Sequence, residues 1–315
     1  MRNLKVKLMS VITILFMVLT LIGGSTINAF AQTNYDNTVY KLIGGISSNI
    51  TVDDWAAMDL KKAGKIVPAS YLTNLQNNLI VANGVMAKPT DYERTVLGIL
   101  GAGGNPTNFS SKNYNLIEKI YNNTGIVSQG INAYVYALIA LDAANFTVPT
   151  NAVWNRQNLI QGILDKQNDG GWDYFGGTAD PDMTAMTLSA LAPYYNTNTD
   201  VKTAVDTAIN RLSQLQTAKG GFSSWGTENA NSVEMVIIAL YDNGIDPTTD
   251  TRFKKNNKNP IDALLGYALS NNNAFGYTNN TTANAMATEQ GLRALAAYKL
   301  FKDGQGSVYK NFTVN

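Results

Sequence analysis

The 315-residue chain contains no cysteine and no histidine. It can therefore form no disulfide, thioester or Ser-His-Asp triad, and it lacks the usual ligands of protein-bound zinc. General acid–base chemistry could come only from Asp, Glu, Lys or Tyr side chains. The fold must be stabilised by burial of a core, for which the chain is long enough. We accordingly predict no metal site and no cofactor.

Charged residues are balanced, with 24 Lys and Arg against 23 Asp and Glu. A chain of this composition offers no excess of basic residues that would attract nucleic acid or an anionic membrane surface. We therefore predict that nucleic acid is not a partner.

The first 31 residues have the pattern of a secretory signal. Three basic residues precede an apolar run from Leu8 to Ile22, and the small-x-small sequence "AFA" ends at Ala31. This pattern predicts cleavage after Ala31, and the run is short for a membrane-spanning helix. An uncleaved membrane anchor is the alternative. We therefore predict that the protein is secreted and lies outside the cell or at its surface, without a membrane span after cleavage.

One helical pattern recurs along the rest of the chain at intervals of 40 to 55 residues. Each copy ends in a leucine, and four of the copies end in Ala-Leu. The copies are "TVDDWAAMDL" to Leu60, "TDYERTVLGIL" to Leu100, "INAYVYALIAL" to Leu141, "PDMTAMTLSAL" to Leu191, "NSVEMVIIAL" to Leu240 and "MATEQGLRAL" to Leu295. They are apolar nearly all round, which predicts helices that are buried on both sides.

Amphipathic segments alternate with these copies. They lie near Ser70–Val81, Tyr114–Asn122, Asn155–Gln167, Asp200–Gln216 and Pro260–Ser270, and the segment Thr33–Ile46 precedes the first copy. Each would bury one stripe of residues. Six inner and six outer helices predict an all-α fold, an (α/α)6 toroid that forms a single domain over residues 32–315. An open solenoid with polar ends is the alternative.

Glycine pairs followed by an aromatic residue mark the joins between the helices. They occur as "GGW" at Gly170–Trp172 and "GGF" at Gly220–Phe222, and "AFGY" at Ala274–Tyr277 occupies a similar place. Glycine permits a turn with positive φ. The aromatic side chain is then expected to fold back into the seam between two helix pairs.

The segments "LDKQNDGGW" (Leu164–Trp172) and "LQTAKGGF" (Leu215–Phe222) resemble the repeats of squalene–hopene cyclases and of protein prenyltransferases, respectively. The resemblance implies the α/α-toroid fold of the terpenoid cyclase and protein prenyltransferase superfamily. A shared fold does not imply a shared activity. The prenyltransferase branch binds zinc through Asp, Cys and His, two of which this chain lacks.

Class II cyclases of this superfamily protonate their substrate through the middle residue of an Asp-x-Asp-Asp motif. Here the corresponding sequence is Asp180-Pro181-Asp182-Met183, so Asp180 and Asp182 match and the last Asp is replaced. The resemblance thus implies, as one alternative, a terpenoid-cyclase-like enzyme in which Asp182 is the general acid.

A non-catalytic branch of the superfamily is also similar to this chain. "MTAM", "ALAPYY", "NGIDP" and "MATEQ" resemble sequences of secreted toroid proteins of Gram-positive bacteria, and the repeats resemble the transcobalamin-like ring domain. This resemblance implies binding rather than catalysis.

Local physical chemistry offers a simpler role for the two aspartates. Pro181 favours the first helical position, so that Asp180 is expected to be the N-cap and Asp182 to lie in the first turn. Hydrogen bonds from backbone N–H groups and the helix dipole would keep both carboxylates ionised. A strong acid needs the opposite, a desolvated and protonated carboxyl group.

Alignment of the copies on their final leucine identifies further candidates. Asp91 and Asp182 both lie nine residues before that leucine, where a helix would begin. Glu234 and Glu289 both lie six residues before it, on otherwise apolar helices. These glutamates either pair with Arg94, Arg293 or free N–H groups, or line a central cavity and bind a ligand.

Aromatic residues of the joins could border the same end of the barrel. The candidates for ligand contact are Trp172, Tyr174, Trp225 and Tyr277. Packing in the seams between helices is the alternative for each of them. Together these residues lead us to expect a non-catalytic protein that binds a small molecule, a cell-wall glycan or a protein at the mouth formed by the inner-helix N-termini.

Overall fold

The computed structural model describes residues 35–314. The predicted signal segment, residues 1–31, lies outside the described residues. The described part is mostly helical, as predicted, with twelve α-helices and one sheet of two short strands. The first helix, α1, is described over residues 35–47.

The remaining helices alternate between the two classes of segment that the sequence contains. They are α2 (Asp54–Lys62), α3 (Ala69–Val81), α4 (Pro89–Gly101), α5 (Leu116–Tyr121), α6 (Gly130–Asp142), α7 (Arg156–Leu164), α8 (Pro181–Leu191), α9 (Thr199–Leu215), α10 (Ala230–Asp242), α11 (Pro260–Leu265) and α12 (Ala285–Lys302). Every leucine-terminated copy lies in an even-numbered helix, and every amphipathic segment lies in an odd-numbered helix. The predicted helices are therefore confirmed, although α11 is shorter than its segment.

Polar side chains fix where most of these helices begin. An Asn or Asp side chain accepts a backbone N–H bond at eight N-caps, and this bond satisfies a donor that the helix itself leaves free. These caps are Asp53, Asn115, Asn155, Asp180, Asn198, Asn229, Asn259 and Asn284. Proline follows the cap in α8 and α11, where its fixed φ favours the first turn.

The even-numbered helices contact one another in cyclic order. Helix α2 packs on α4, α4 on α6, α6 on α8, α8 on α10 and α10 on α12, and α12 packs on α2. Four odd-numbered helices pack on the even-numbered helix that precedes or follows them: α5 on α4, α7 on α6, α9 on α8 and α11 on α10.

Burial differs between the two sets as the sequence predicts. In α10 every residue from Ala230 to Tyr241 is buried. In α9 only one stripe is buried, at spacings of three and four residues. We call the even-numbered helices, which contact one another, the inner helices or the inner layer.

Two glycines allow α4 to approach the backbone of α2 closely. A Cβ atom on Gly98 would lie 2.8 Å from the Cα atom of Asp54, and one on Gly101 would lie 2.6 Å from the carbonyl oxygen of Ala57. Backbone atoms of a packed helix cannot move away as the end of a flexible side chain can. The small size of these residues therefore sets the distance between the two helices.

The glycine-aromatic joins behave as predicted. Gly170 and Gly220 have φ values of 77° and 85°, a conformation that residues with a Cβ atom rarely adopt. The aromatic residues Trp172 and Phe222, which follow these glycine pairs, and Phe275 of the third join are completely buried. Each therefore fills the seam beside an inner helix.

The stretch Thr124–Asp142, which includes α6, is long and apolar enough to cross a membrane by length and composition alone. Its most apolar window is 61% buried within the protein. The inner layer of the core thus accounts for its apolar character.

We predict that Gly101→Ala lowers the free energy of unfolding by about 1–3 kcal/mol, because the new methyl group would overlap the α2 backbone. Gly44→Ala is the matched control: it also lies in a helix, but no atom comes within 4 Å of its Cβ position. The control should gain up to about 1 kcal/mol from helix propensity. Urea unfolding of both variants measures the difference, and equal effects would contradict the close approach of α2 and α4.

Candidate functional site

A buried arginine joins the last inner helix to the first. Arg293 in α12 is 1% exposed. Its Nε donates to Oδ1 of Asp59 in α2 at 2.8 Å, and its Nη2 donates to Oδ2 at 3.1 Å. The same Nη2 also donates to the carboxylate of Glu289, one turn earlier in α12. Two carboxylates from two helices therefore share one guanidinium group.

Aromatic side chains cover this ion cluster. The guanidinium carbon of Arg293 lies 4.5 Å from the ring centroid of Trp55, a cation–π contact. The Trp55 ring also contacts Tyr136 of α6, with 5.2 Å between the centroids. Side chains from α2, α6 and α12 thus meet at this point.

Trp55 and Glu289 also line a surface cleft between the starts of α2 and α12. The cleft has a volume of about 740 Å³. Its lining residues are Asn49, Ile50, Thr51, Asp53, Trp55, Asn273, Ala274, Ala283, Asn284, Ala285, Met286, Thr288 and Glu289. The lining combines an apolar wall with two carboxylates and several amides, and no basic side chain of residues 35–314 is part of it.

The electrostatics of the cleft follow from burial. Burial raises the pKa of Glu289, which Arg293 opposes and Asp53 reinforces. Burial likewise raises the pKa of Asp59 well above its ordinary value, and again the charge of Arg293 opposes the shift. Because one guanidinium serves two carboxylates, the inner end of the cleft favours a further positive charge.

Glu234 and Glu289, which both lie six residues before the final leucine of their copies, have different surroundings. Glu289 pairs with Arg293, as one of the two alternatives predicts, and it also lines the surface cleft. Binding of a ligand by Glu289 stays a prediction. Glu234 is completely buried, and neither of its carboxylate oxygens accepts a hydrogen bond within the described part of the chain. Burial raises the pKa of Glu234 well above its ordinary value, so that the protonated form is favoured.

Glu93 of α4 resembles Glu234 in this respect. It is also completely buried, its carboxylate oxygens accept no hydrogen bond from the described residues, and burial raises its pKa well above the ordinary value. Sequence analysis did not identify this residue. Within residues 35–314, no three carboxylates come together as metal ligands.

Asp180 and Asp182 differ more than the sequence predicts. Asp180 is the N-cap of α8, as predicted, and accepts the N–H groups of Asp182 and Met183 at 2.9 and 3.1 Å. The pKa of Asp182 is not lowered as its position at the start of the helix predicts. Burial raises its pKa to about 6, although a hydrogen bond with Ser232 lowers the pKa and the charge of Asp180 raises it. Its position in the first turn does not offset the loss of solvent.

Two other candidates have structural roles. Asp91 accepts the backbone N–H of Lys88 at 3.0 Å and pairs with Arg94 at 3.2 Å, so that it stabilises the start of α4. Trp172 is completely buried, and its indole N–H donates to the carbonyl of Ile163 at 2.8 Å. Trp172 therefore belongs to the core, which corrects its selection as a residue for ligand contact.

The remaining aromatic candidates are exposed. Tyr174 and Trp225 belong to an aromatic cluster with Phe175, whose ring lies 5.0 Å from that of Tyr174 and 6.1 Å from that of Trp225. Tyr277 is 43% exposed, and its carbonyl accepts the N–H of Ala230 at the start of α10. The selected residues thus do not form one site: Glu289 lines the cleft, Glu234 and Trp172 are buried, Asp182 is partly buried, Asp91 stabilises a helix start, and Tyr174, Trp225 and Tyr277 are exposed.

Sequence reasoning overlooked Asp59 and Trp55, although a signal for Asp59 was present. Asp59 directly precedes the terminal leucine of its copy, a position that is Ala in four other copies and Ile in the fifth. A charged residue at such a position on a buried helix requires a partner.

No family model matches this chain, and no curated protein matches it either.

We predict that Asp182→Asn stabilises the protein at pH 7.5 but not at pH 3.5. The pKa of Asp182 is about 6 in the folded state against 3.8 for an ordinary Asp. The folded state therefore binds more protons between these values, and stability falls as the pH rises through them. The variant removes the buried carboxylate and should therefore raise the free energy of unfolding by about 1–3 kcal/mol above pH 6. Urea unfolding at both pH values measures this effect.

Asp91→Asn is the matched control for this experiment. Asp91 occupies the equivalent position of α4, but it has a capping bond and an ion pair. Its replacement should lower stability at pH 7.5 or leave it unchanged. A gain for Asp91→Asn, or none for Asp182→Asn, would contradict the assignment.

Proposed function

We propose that residues 32–315 form a secreted, single-domain (α/α)6 toroid, with the even-numbered helices inside and the odd-numbered helices outside. The cyclic order of contacts from α2 to α12 and back to α2 supports this arrangement. So does the difference in burial between α10 and α9. The resemblance to the terpenoid cyclase and protein prenyltransferase superfamily, in particular to its secreted non-catalytic members, is part of the same proposal.

We further propose that the protein is not an enzyme and binds a small organic molecule in the cleft between α2 and α12. One observation carries the proposal: a cavity of about 740 Å³ with an apolar wall, an indole ring and two carboxylates. Ligand pockets commonly have this size and combine apolar walls with a few polar groups. The cleft lies at the N-terminal ends of two inner helices, where the sequence predicts the mouth of the barrel.

The lining favours a ligand with an apolar body and a basic group. The carboxylates of Asp53 and Glu289 attract a cation by their negative charge. The ring of Trp55 attracts a cation through its quadrupole. Ile50 and Met286 supply apolar contacts to the rest of the molecule. An amine therefore suits the cleft better than a carboxylate of the same size.

A terpenoid-cyclase-like reaction is the second candidate. Burial of Asp182 and its pKa of about 6 favour it, because a general acid must retain its proton near neutral pH. Such a reaction also needs a deep apolar cavity. The contacts among Trp55, Tyr136 and Arg293 place large side chains between α2, α6 and α12, which favours the binding role.

We predict that phenethylamine binds more tightly than 3-phenylpropionate, which has a similar apolar body and the opposite charge. Ala285→Trp should abolish this binding by filling the cleft, because Ala285 is an exposed lining residue. Ala82→Trp is the control, since Ala82 is exposed but does not line the cleft. Isothermal titration calorimetry measures the affinities, and thermal unfolding checks that both variants fold.

Two outcomes would overturn the proposal. One is equal binding of the amine and the acid, or binding that Ala285→Trp leaves intact. The other is turnover of squalene by the purified protein that Asp182→Asn abolishes, which would establish the cyclase-like activity instead.

A further inference from the structure

Trp225 combines an unfavourable backbone conformation with an exposed side chain. It lies at the tip of a hairpin between β1 (Ser223–Ser224) and β2 (Thr227–Glu228). Trp225 and Gly226 have φ values of 55° and 79°, as in a type I′ turn, which favours Asn, Asp or Gly. A bulky residue in this region is strained. Because Trp225 is 80% exposed, burial in the core does not offset the strain.

Phe175 is held beside Trp225 by a second loop. Its ring is 76% exposed, and the two rings are nearly perpendicular, at 85°. Asp173 fixes the loop, because its Oδ2 accepts the N–H groups of Phe175 and Gly177 at 2.8 and 3.1 Å. The aromatic cluster of Tyr174, Phe175 and Trp225 is therefore ordered without a partner, which lowers the entropic cost of binding one.

A polar pocket of about 290 Å³ adjoins this cluster. Tyr174 and Phe175 line it, and the other lining residues are Gly130, Ile131, Asp165, Lys166, Gln167, Asn168, Asp173 and Gly176. Its side chains include carboxylates, amides and one ammonium group, so that hydrogen-bond donors and acceptors are both present. Such a lining does not suit lipid tails, and its two carboxylates oppose an anion.

We propose that the aromatic cluster and this pocket form a binding site for a neutral oligosaccharide. A sugar ring presents an apolar C–H face that can pack on an aromatic ring. Its hydroxyl groups both donate and accept hydrogen bonds, and the pocket offers the carboxylate of Asp173 as an acceptor and the ammonium group of Lys166 as a donor. The pocket accommodates about one sugar unit, and the next units extend over Phe175 and Trp225. This site does not depend on the cleft between α2 and α12.

The test replaces Trp225 by a residue that the turn prefers. Trp225→Asn should preserve or raise the thermal unfolding temperature, because Asn adopts positive φ with less strain. It should also weaken the binding of chitotetraose or cellotetraose at least tenfold, as measured by isothermal titration calorimetry. Ile66→Ala, which removes a side chain that is 91% exposed elsewhere, should leave the affinity unchanged. Phe175→Ala should weaken binding as Trp225→Asn does.

The outcomes separate this proposal from its competitors. It is overturned if the wild-type protein binds neither tetrasaccharide, or if Trp225→Asn binds as the wild type does. It is also overturned if neither sugar binds and the wild-type protein instead self-associates or adsorbs to phosphatidylcholine vesicles in a way that Trp225→Asn abolishes. Ala285→Trp should retain sugar binding, so that failure of the cleft and failure of this site can be distinguished.

Discussion

The bidentate ion pair between Arg293 and Asp59 is the contact on which the site depends. It links α12 to α2, although the two residues are 234 positions apart in the sequence. The same guanidinium orients Glu289 towards the cleft and supports the ring of Trp55. A buried ion pair adds little net stability compared with apolar packing, but loss of one partner is costly. Its contribution is to fix one arrangement of the two helices.

Close packing of the inner layer explains why its acids are protonated more readily. Glycine lets α4 approach the α2 backbone, and side chains from α2, α6 and α12 meet between these helices. Glu93 and Glu234 therefore lose solvent without gaining a hydrogen bond from the described residues, and burial raises their pKa. Glu289 differs because it reaches both an arginine and the cleft.

Local patterns predicted the helices, their caps and the glycine joins, because each depends on residues that are close in the sequence. Asp180 is an example: Pro181 beside it was enough to identify the N-cap. The pKa of Asp182 could not be predicted in this way, since it depends on burial by the rest of the fold. The partner of Arg293 was also missed. Alignment of the copies marks Asp59 as unusual, but only the contact between α2 and α12 brings the two residues together.

The joins supply both an inward and an outward aromatic residue. Trp172, Phe222 and Phe275 follow the first turn and are completely buried, whereas Tyr174, Trp225 and Tyr277 come two or three residues later and are exposed. The buried ring fixes the loop by packing in the seam, so that the second ring is held outside by the same backbone. Burial explains the first aromatic residue of each join. It does not explain the second, for which we propose recognition of a partner at the surface.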